Sequence, residues 1–170
     1  MKKIFALVLA MVMCVCAAAE TVATSGDVYI DGMPNPVVEH VSLAELSEKV
    51  GFEVVVPEVL GEFERKGFFS IDTLAQVIYM RGEQELCWRM SPAADGDNSG
   101  DYNDYATVTT ETIGEVSVTF KGNDNEVSLA LWTLNGYDYS VGVREPEDSL
   151  TAHGVSMDEM RVILNQLGIA

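Results

Sequence analysis

A chain of 170 residues with 27 Asp and Glu against 10 Lys and Arg carries a net charge of −17, which argues against nucleic acid as a partner. The same charge repels anionic membrane surfaces and wall polyanions unless divalent cations bridge them, and favours cations or basic protein segments. With 48% hydrophobic residues and only three cysteines, the composition is that of a globular chain rather than of a disulfide-stapled one.

Lys2 and Lys3 precede the apolar run Ile4–Cys16, and Ala17-Ala18-Ala19 supplies the small residues that a signal peptidase needs. A helix over that run would be roughly 20 Å long, too short for a hydrocarbon core of about 30 Å. Residues 1–19 are therefore expected to be a cleaved signal peptide, and no later segment is apolar enough to span a membrane. Met13 before Cys14 and Val15 before Cys16 fit a lipidation site poorly, so release outside the cell is expected rather than lipid anchoring. Cleavage after Ala19 leaves eight basic residues against 27 acidic ones, a net charge of −19, with Cys87 as the only thiol. Within Leu86-Cys87-Trp88 that cysteine reads as a buried strand position. Stability must then come from the core, and a chain of this size buries about 70% of its unfolded surface.

From Glu20 to Val41 there is little periodicity, and Gly32, Pro34, Asn35 and Pro36 mark an extended lead-in to a single domain over residues 42–170. Ser42 and Glu45 have capping-box spacing, Leu43, Leu46 and Val50 share one helical face, and Gly51 can close the helix. Phe52–Val56 reads as a strand closed by Pro57, Gly61–Gly67 as a charged connection, and Phe68–Ile71 as a short strand. Leu74–Met80 and Glu85–Met90 flank Arg81-Gly82-Glu83-Gln84, a hairpin signal. Ser91–Asp104 is a solvated loop. Tyr105–Glu111, Val116–Lys121, Glu126–Thr133 and Tyr137–Val143 follow as strands with short connections, which argues for an antiparallel meander. Ser156 and Glu159 repeat the capping spacing, and Met157, Met160, Ile163, Leu164 and Leu167 give the last helix an apolar stripe that ends at Gly168. The expected fold class is α+β, with an antiparallel meander sheet packed against one or two helices.

Asp95-Gly96-Asp97-Asn98-Ser99-Gly100-Asp101 has the D-x-D-x-S-G spacing that opens a calcium loop, because alternate oxygen ligands and a turn glycine suit that ion. Ala106 stands where the bidentate glutamate of an EF-hand belongs, and a strand follows rather than a helix, so an EF-hand is rejected. A looser calcium site on Asp95, Asp97, Ser99 and Asp101 is the one cofactor reading the sequence admits. His40 and His153 stand at helix entrances without a nucleophile motif such as G-x-S-x-G, so no catalytic residue is assigned. Two histidines without a cysteine cluster do not make a structural zinc site. Carboxylate pairs for glycoside hydrolysis are too numerous to single out. The aromatic residues Trp132, Tyr137 and Tyr139 are the candidates for lining a ligand groove, with core packing as the alternative.

Gly51-Phe52-Glu53-Val54-Val55-Val56-Pro57, Leu74-Ala75-Gln76-Val77-Ile78-Tyr79, Ser99-Gly100-Asp101-Tyr102-Asn103, Ala130-Leu131-Trp132, Gly136-Tyr137-Asp138-Tyr139-Ser140 and the helix from Ser156 together resemble the bacterial family named domain of unknown function 4367. The likeness covers roughly residues 34 to 169. It implies an extracytoplasmic domain of Gram-positive bacteria, secreted alone or joined to a membrane anchor, and in some members attached to anti-sigma factors as a sensing module. It brings no established catalytic residues, and this chain lacks the transmembrane helix of anchored members. The function expected is that of a secreted, non-enzymatic binding or sensing domain for a cell-envelope or extracellular ligand or protein. A calcium-binding envelope protein, or an acidic-pair hydrolase of wall components, is the alternative.

Overall fold

The computed structural model describes residues 36–94, 96–144 and 154–169. The signal segment, Asp95 and His153 lie outside the described residues. In chain order the elements are β1 (Val37–His40), α1 (Leu43–Val50), β2 (Val59–Leu60), β3 (Phe63–Ile71), β4 (Leu74–Arg81), β5 (Gln84–Pro92) and β6 (Thr107–Ile113). They continue as β7 (Val116–Gly122), β8 (Glu126–Val127), β9 (Leu129–Leu134), β10 (Tyr137–Arg144), β11 (Val155–Ser156) and α2 (Met157–Gln166). The fold class is α+β, as the sequence implies. No helix among the described residues is long and apolar enough to cross a membrane.

Two antiparallel meanders make one large sheet. The first, β3-β4-β5, follows chain order, with β1 and β2 both on β3; the second runs β6-β7-β9-β10. They join where β10 pairs with β5, so the full order is β1-β3-β4-β5-β10-β9-β7-β6. Chain order therefore jumps from β5, in the middle of the sheet, to β6 at its far edge. The segment between them has to cross three strands.

Alternation along the strands gives the sheet two different faces. On one, Ala75, Val77, Tyr79, Leu86, Trp88, Phe120, Ala130, Val141 and Val143 form a single core with Leu46 and Val50 of α1 and Met160, Ile163 and Leu164 of α2. The last three are fully buried, a stabilisation of about 1.5–3 kcal/mol for each side chain. Arg81 braces α2 from β4, pairing with Glu159 while its guanidinium sits 4.3 Å from the centre of the Phe63 ring. The opposite face carries Cys87 and Arg89 of β5 and Asp138, Ser140 and Gly142 of β10, and neither α1 nor α2, the helices among the described residues, packs on it.

Both caps form as their spacing suggests. The Ser42 hydroxyl accepts from the Glu45 amide, the Glu45 carboxylate accepts from the Val41 amide, and Gly51 at φ 82° ends α1. Ser156 caps α2 in the same way, accepting from Glu159. The reading of residues 52–71 needs correction. Phe52–Val56 forms no strand; it is an extended connector whose Val54 and Val56 enter the core while Val55 stays exposed. Of the supposed charged connection Gly61–Gly67 only Gly61 and Glu62 form a turn; from Phe63 on it is the first half of β3, because buried Phe63 anchors it and Arg65 lies over the Phe68 ring at 5.3 Å. Within the stretch taken as a lead-in, Val37–His40 is an edge strand of the sheet.

Candidate functional site

The crossing segment, described over residues 93–94 and 96–106, lies against the open face and is held there by Asp138, which is buried, and by half-buried Asn98, Arg89 and Lys121. Asp138 is 3% exposed; its Oδ2 accepts from the amides of Ala94 at 2.9 Å and Gly96 at 3.0 Å, and its Oδ1 accepts from the Thr133 hydroxyl at 2.6 Å. Burial pushes this carboxyl up, and the bonds from Thr133, Ala94 and Gly96 outweigh that, leaving its pKa below the ordinary value. Asn98 donates to the Ser91 hydroxyl and to the Asp138 carbonyl. Arg89 donates through Nε to Gln76 and through Nη1 to the carbonyls of Asn98 and Ser99. At Gly100, with φ 63°, the loop passes so close to Arg89 that a Cβ would stand 2.5 Å from Nη1. Lys121 reaches up from β7 to Asp97 at 3.0 Å.

Between this loop and the strands lies a cavity of about 290 Å³. Its floor exists because β10 has a glycine where a side chain would fill the space. Gly142 pairs with Cys87 on one neighbour and with Leu129 on the other, and a Cβ built there finds only Leu129 Cδ1, 3.9 Å away. Arg89, Ser140 and Arg144 add polar groups, and residues 99–103 form the roof, including Tyr102, which is 95% exposed. Ser140 is 1% exposed, and among the described residues its hydroxyl has no hydrogen-bond partner. Arg144 is paired with Glu85 at 2.9 Å. Burial pushes the Cys87 thiol up, and although Arg89 and Arg144 act against this the net shift stays upward, so the group is a neutral thiol at neutral pH.

The acidic loop enters the structure as part of this roof. Asp97 Oδ1 accepts from the Ser99 amide and hydroxyl, and its Oδ2 from Lys121. Asp101 accepts from the Asn103 amide and the Tyr105 hydroxyl, and Ser99 Oγ accepts from the Asp101 amide. The side-chain oxygens of Asp97, Ser99 and Asp101 are thus engaged within the protein, and no group of three His, Cys, Asp or Glu residues suited to a metal occurs among the described residues. Millimolar calcium is accordingly expected to leave the melting temperature unchanged in scanning calorimetry. A saturable rise that disappears in Asp95→Asn would instead put the ion in this loop.

Trp132, Tyr137 and Tyr139 lie on the helix-covered face. Trp132 and Tyr139 stack at 5.3 Å beside a cleft of about 180 Å³, while Tyr137 packs on Phe52 at 5.0 Å. Trp132 is 4% exposed, and the Nε1 of its indole is buried without a partner. His40, also buried, meets Ser70 Oγ at 2.9 Å and Glu45 at 3.8 Å, the order of a Ser-His-Glu triad. Ser70 has no exposed surface, so a substrate cannot reach its hydroxyl, and the trio ties β1 and β3 to the cap of α1.

Sequence reasoning did not single out Arg89, Ser140, Gly142 or Arg144. One signal was present: in Leu86-Cys87-Trp88-Arg89-Met90 the alternation sets Cys87 and Arg89 on the face away from the core. No family model, curated protein or solved structure matches the chain.

Proposed function

We propose that this protein is a secreted, non-enzymatic binding or sensing domain that takes a small ligand in the cavity beneath residues 99–103. The observation that carries the reading is the Gly142 gap, roofed by a loop that Asp138, Asn98, Arg89 and Lys121 pin down and lined by the Ser140 hydroxyl, which no described residue bonds. At about 290 Å³ the space lies near the lower end of small-molecule sites. A protonated thiol and a sealed Ser-His-Glu trio offer no activated thiol or hydroxyl, which supports binding over catalysis by a cysteine or serine nucleophile. The signal-like first 19 residues and the resemblance to the domain of unknown function 4367 family support action outside the cell.

Gly142→Leu tests this. The new side chain fills the cavity from its floor on a strand glycine that has ordinary backbone geometry. A fragment screen by thermal shift should find ligands that raise the melting temperature of the parent protein, with stabilisation of about 2.7 kcal/mol at a hundredfold excess over Kd. The same ligands should leave Gly142→Leu unshifted while its circular dichroism stays native. Ligands that stabilise both proteins equally, or a screen without a saturable binder, would contradict the proposal.

A further inference from the structure

We propose that the ligand is a small organic carboxylate, an inference that rests on the cavity reading above. The argument is a count of which hydrogen-bonding groups remain for a guest. Both carboxylates near the cavity are occupied: Asp101 by the Asn103 amide and the Tyr105 hydroxyl, Glu85 by Arg144. Arg89 places Nε and Nη1 on protein oxygens and its guanidinium beside the Cys87 sulfur, yet among the described residues it faces no carboxylate within 4.0 Å, so its charge has no counter-ion there. Ser140, 1% exposed, offers a hydroxyl that no described residue bonds. The unused groups are thus chiefly donors, one of them permanently charged, and an acceptor anion is the complement.

The remaining wall fixes the rest of the ligand. Cys87 and Leu129 are apolar and buried, and Tyr102 stands at the rim with its ring in solvent. A bare oxyanion would leave these surfaces wet, whereas a carboxylate on a ring or short hydrocarbon body covers them. The molecule as a whole is strongly acidic, but at physiological salt its field is screened beyond about 8 Å, so the guanidinium in contact decides the sign.

Titration calorimetry of the purified protein with benzoate, benzamide, benzylamine and inorganic phosphate separates the possibilities. Benzoate should bind at least tenfold more tightly than its amide, its amine analogue or phosphate. Arg89→Gln should lose at least tenfold of that affinity. Because Arg89 also holds the loop, Ser140→Ala serves as the second variant, with an expected loss of about fivefold and no change in loop hydrogen exchange. Benzamide or benzylamine binding as well as benzoate would overturn the carboxylate assignment; if Gly142→Leu abolished that binding, the cavity reading would stand. No saturable binding of benzoate at millimolar concentration would also overturn the assignment, while benzoate binding that persists in Gly142→Leu would overturn both.

Discussion

Asp138→Ala is expected to destabilise the protein by roughly 2–4 kcal/mol at neutral pH and to release the 93–106 loop from the sheet. Alanine leaves the amides of Ala94 and Gly96 and the Thr133 hydroxyl without the buried carboxylate they now share. Hydrogen bonds to a charged group are worth about 1.5–3 kcal/mol each, and the loop recovers part of this by turning to water. The pH dependence has a definite sign. The folded protein holds this carboxyl below its ordinary pKa, so its contribution is complete above the unfolded-state value of about 3.9 and is lost as pH falls through the lower folded value. Urea unfolding at pH 7 should show the full gap between parent and variant, which should narrow towards pH 3. Limited proteolysis at neutral pH should cut the variant within the loop first. A gap under about 0.5 kcal/mol at pH 7 would mean that Asp138 does not hold the roof.

Gly122→Ala carries the largest penalty expected of any single methyl group. A Cβ at Gly122 would stand 1.8 Å from the Glu126 carbonyl oxygen and 2.8 Å from its carbon, both backbone atoms. The 123–128 turn cannot simply give way, because the Glu126 amide bonds the Asn123 carbonyl at 2.8 Å and the Ser128 amide bonds the Lys121 carbonyl at 3.0 Å. Displacing the turn also strains the pairing of β8 with β11, which leads directly into α2. The expected cost is about 3 kcal/mol or more, read as a fall in the urea midpoint or as insoluble expression. Gly142→Ala is the control: its nearest neighbour is 3.9 Å away, and alanine there should be neutral or stabilising by up to about 1 kcal/mol. Equal effects at the two sites would contradict the geometry.

The parts of the fold legible in the sequence are those set by neighbours in the chain. Capping residues at Ser42 and Ser156, the turn at Gly82, and the alternation of Val116, Val118 and Phe120 each carry a local physical cause. Residues 52–67 misled because β-branching at Val54, Val55 and Val56 resembles a strand, whereas Glu62, Glu64 and Lys66 around buried Phe63 resemble a loop. Only the long-range pairing of β3 with β4 decides between them. The candidate site was hidden for the same reason. Its floor joins Cys87 and Gly142, which are distant in sequence, and its roof is a third segment, all brought together by the β5–β10 pairing and the crossing of the loop. The run at residues 95–101 suggests a calcium loop by its D-x-D-x-S-G spacing, yet Asp97 and Asp101 serve bonds within the loop and the pair with Lys121.

The most direct test of the account is a nitrogen-15 NMR titration of the purified protein with benzoate. The account predicts saturable amide shifts confined to Cys87, Arg89, residues 99–103, Leu129 and residues 140–144. Shifts centred instead on Trp132 and Tyr139, or spread without saturation over the surface, would contradict it.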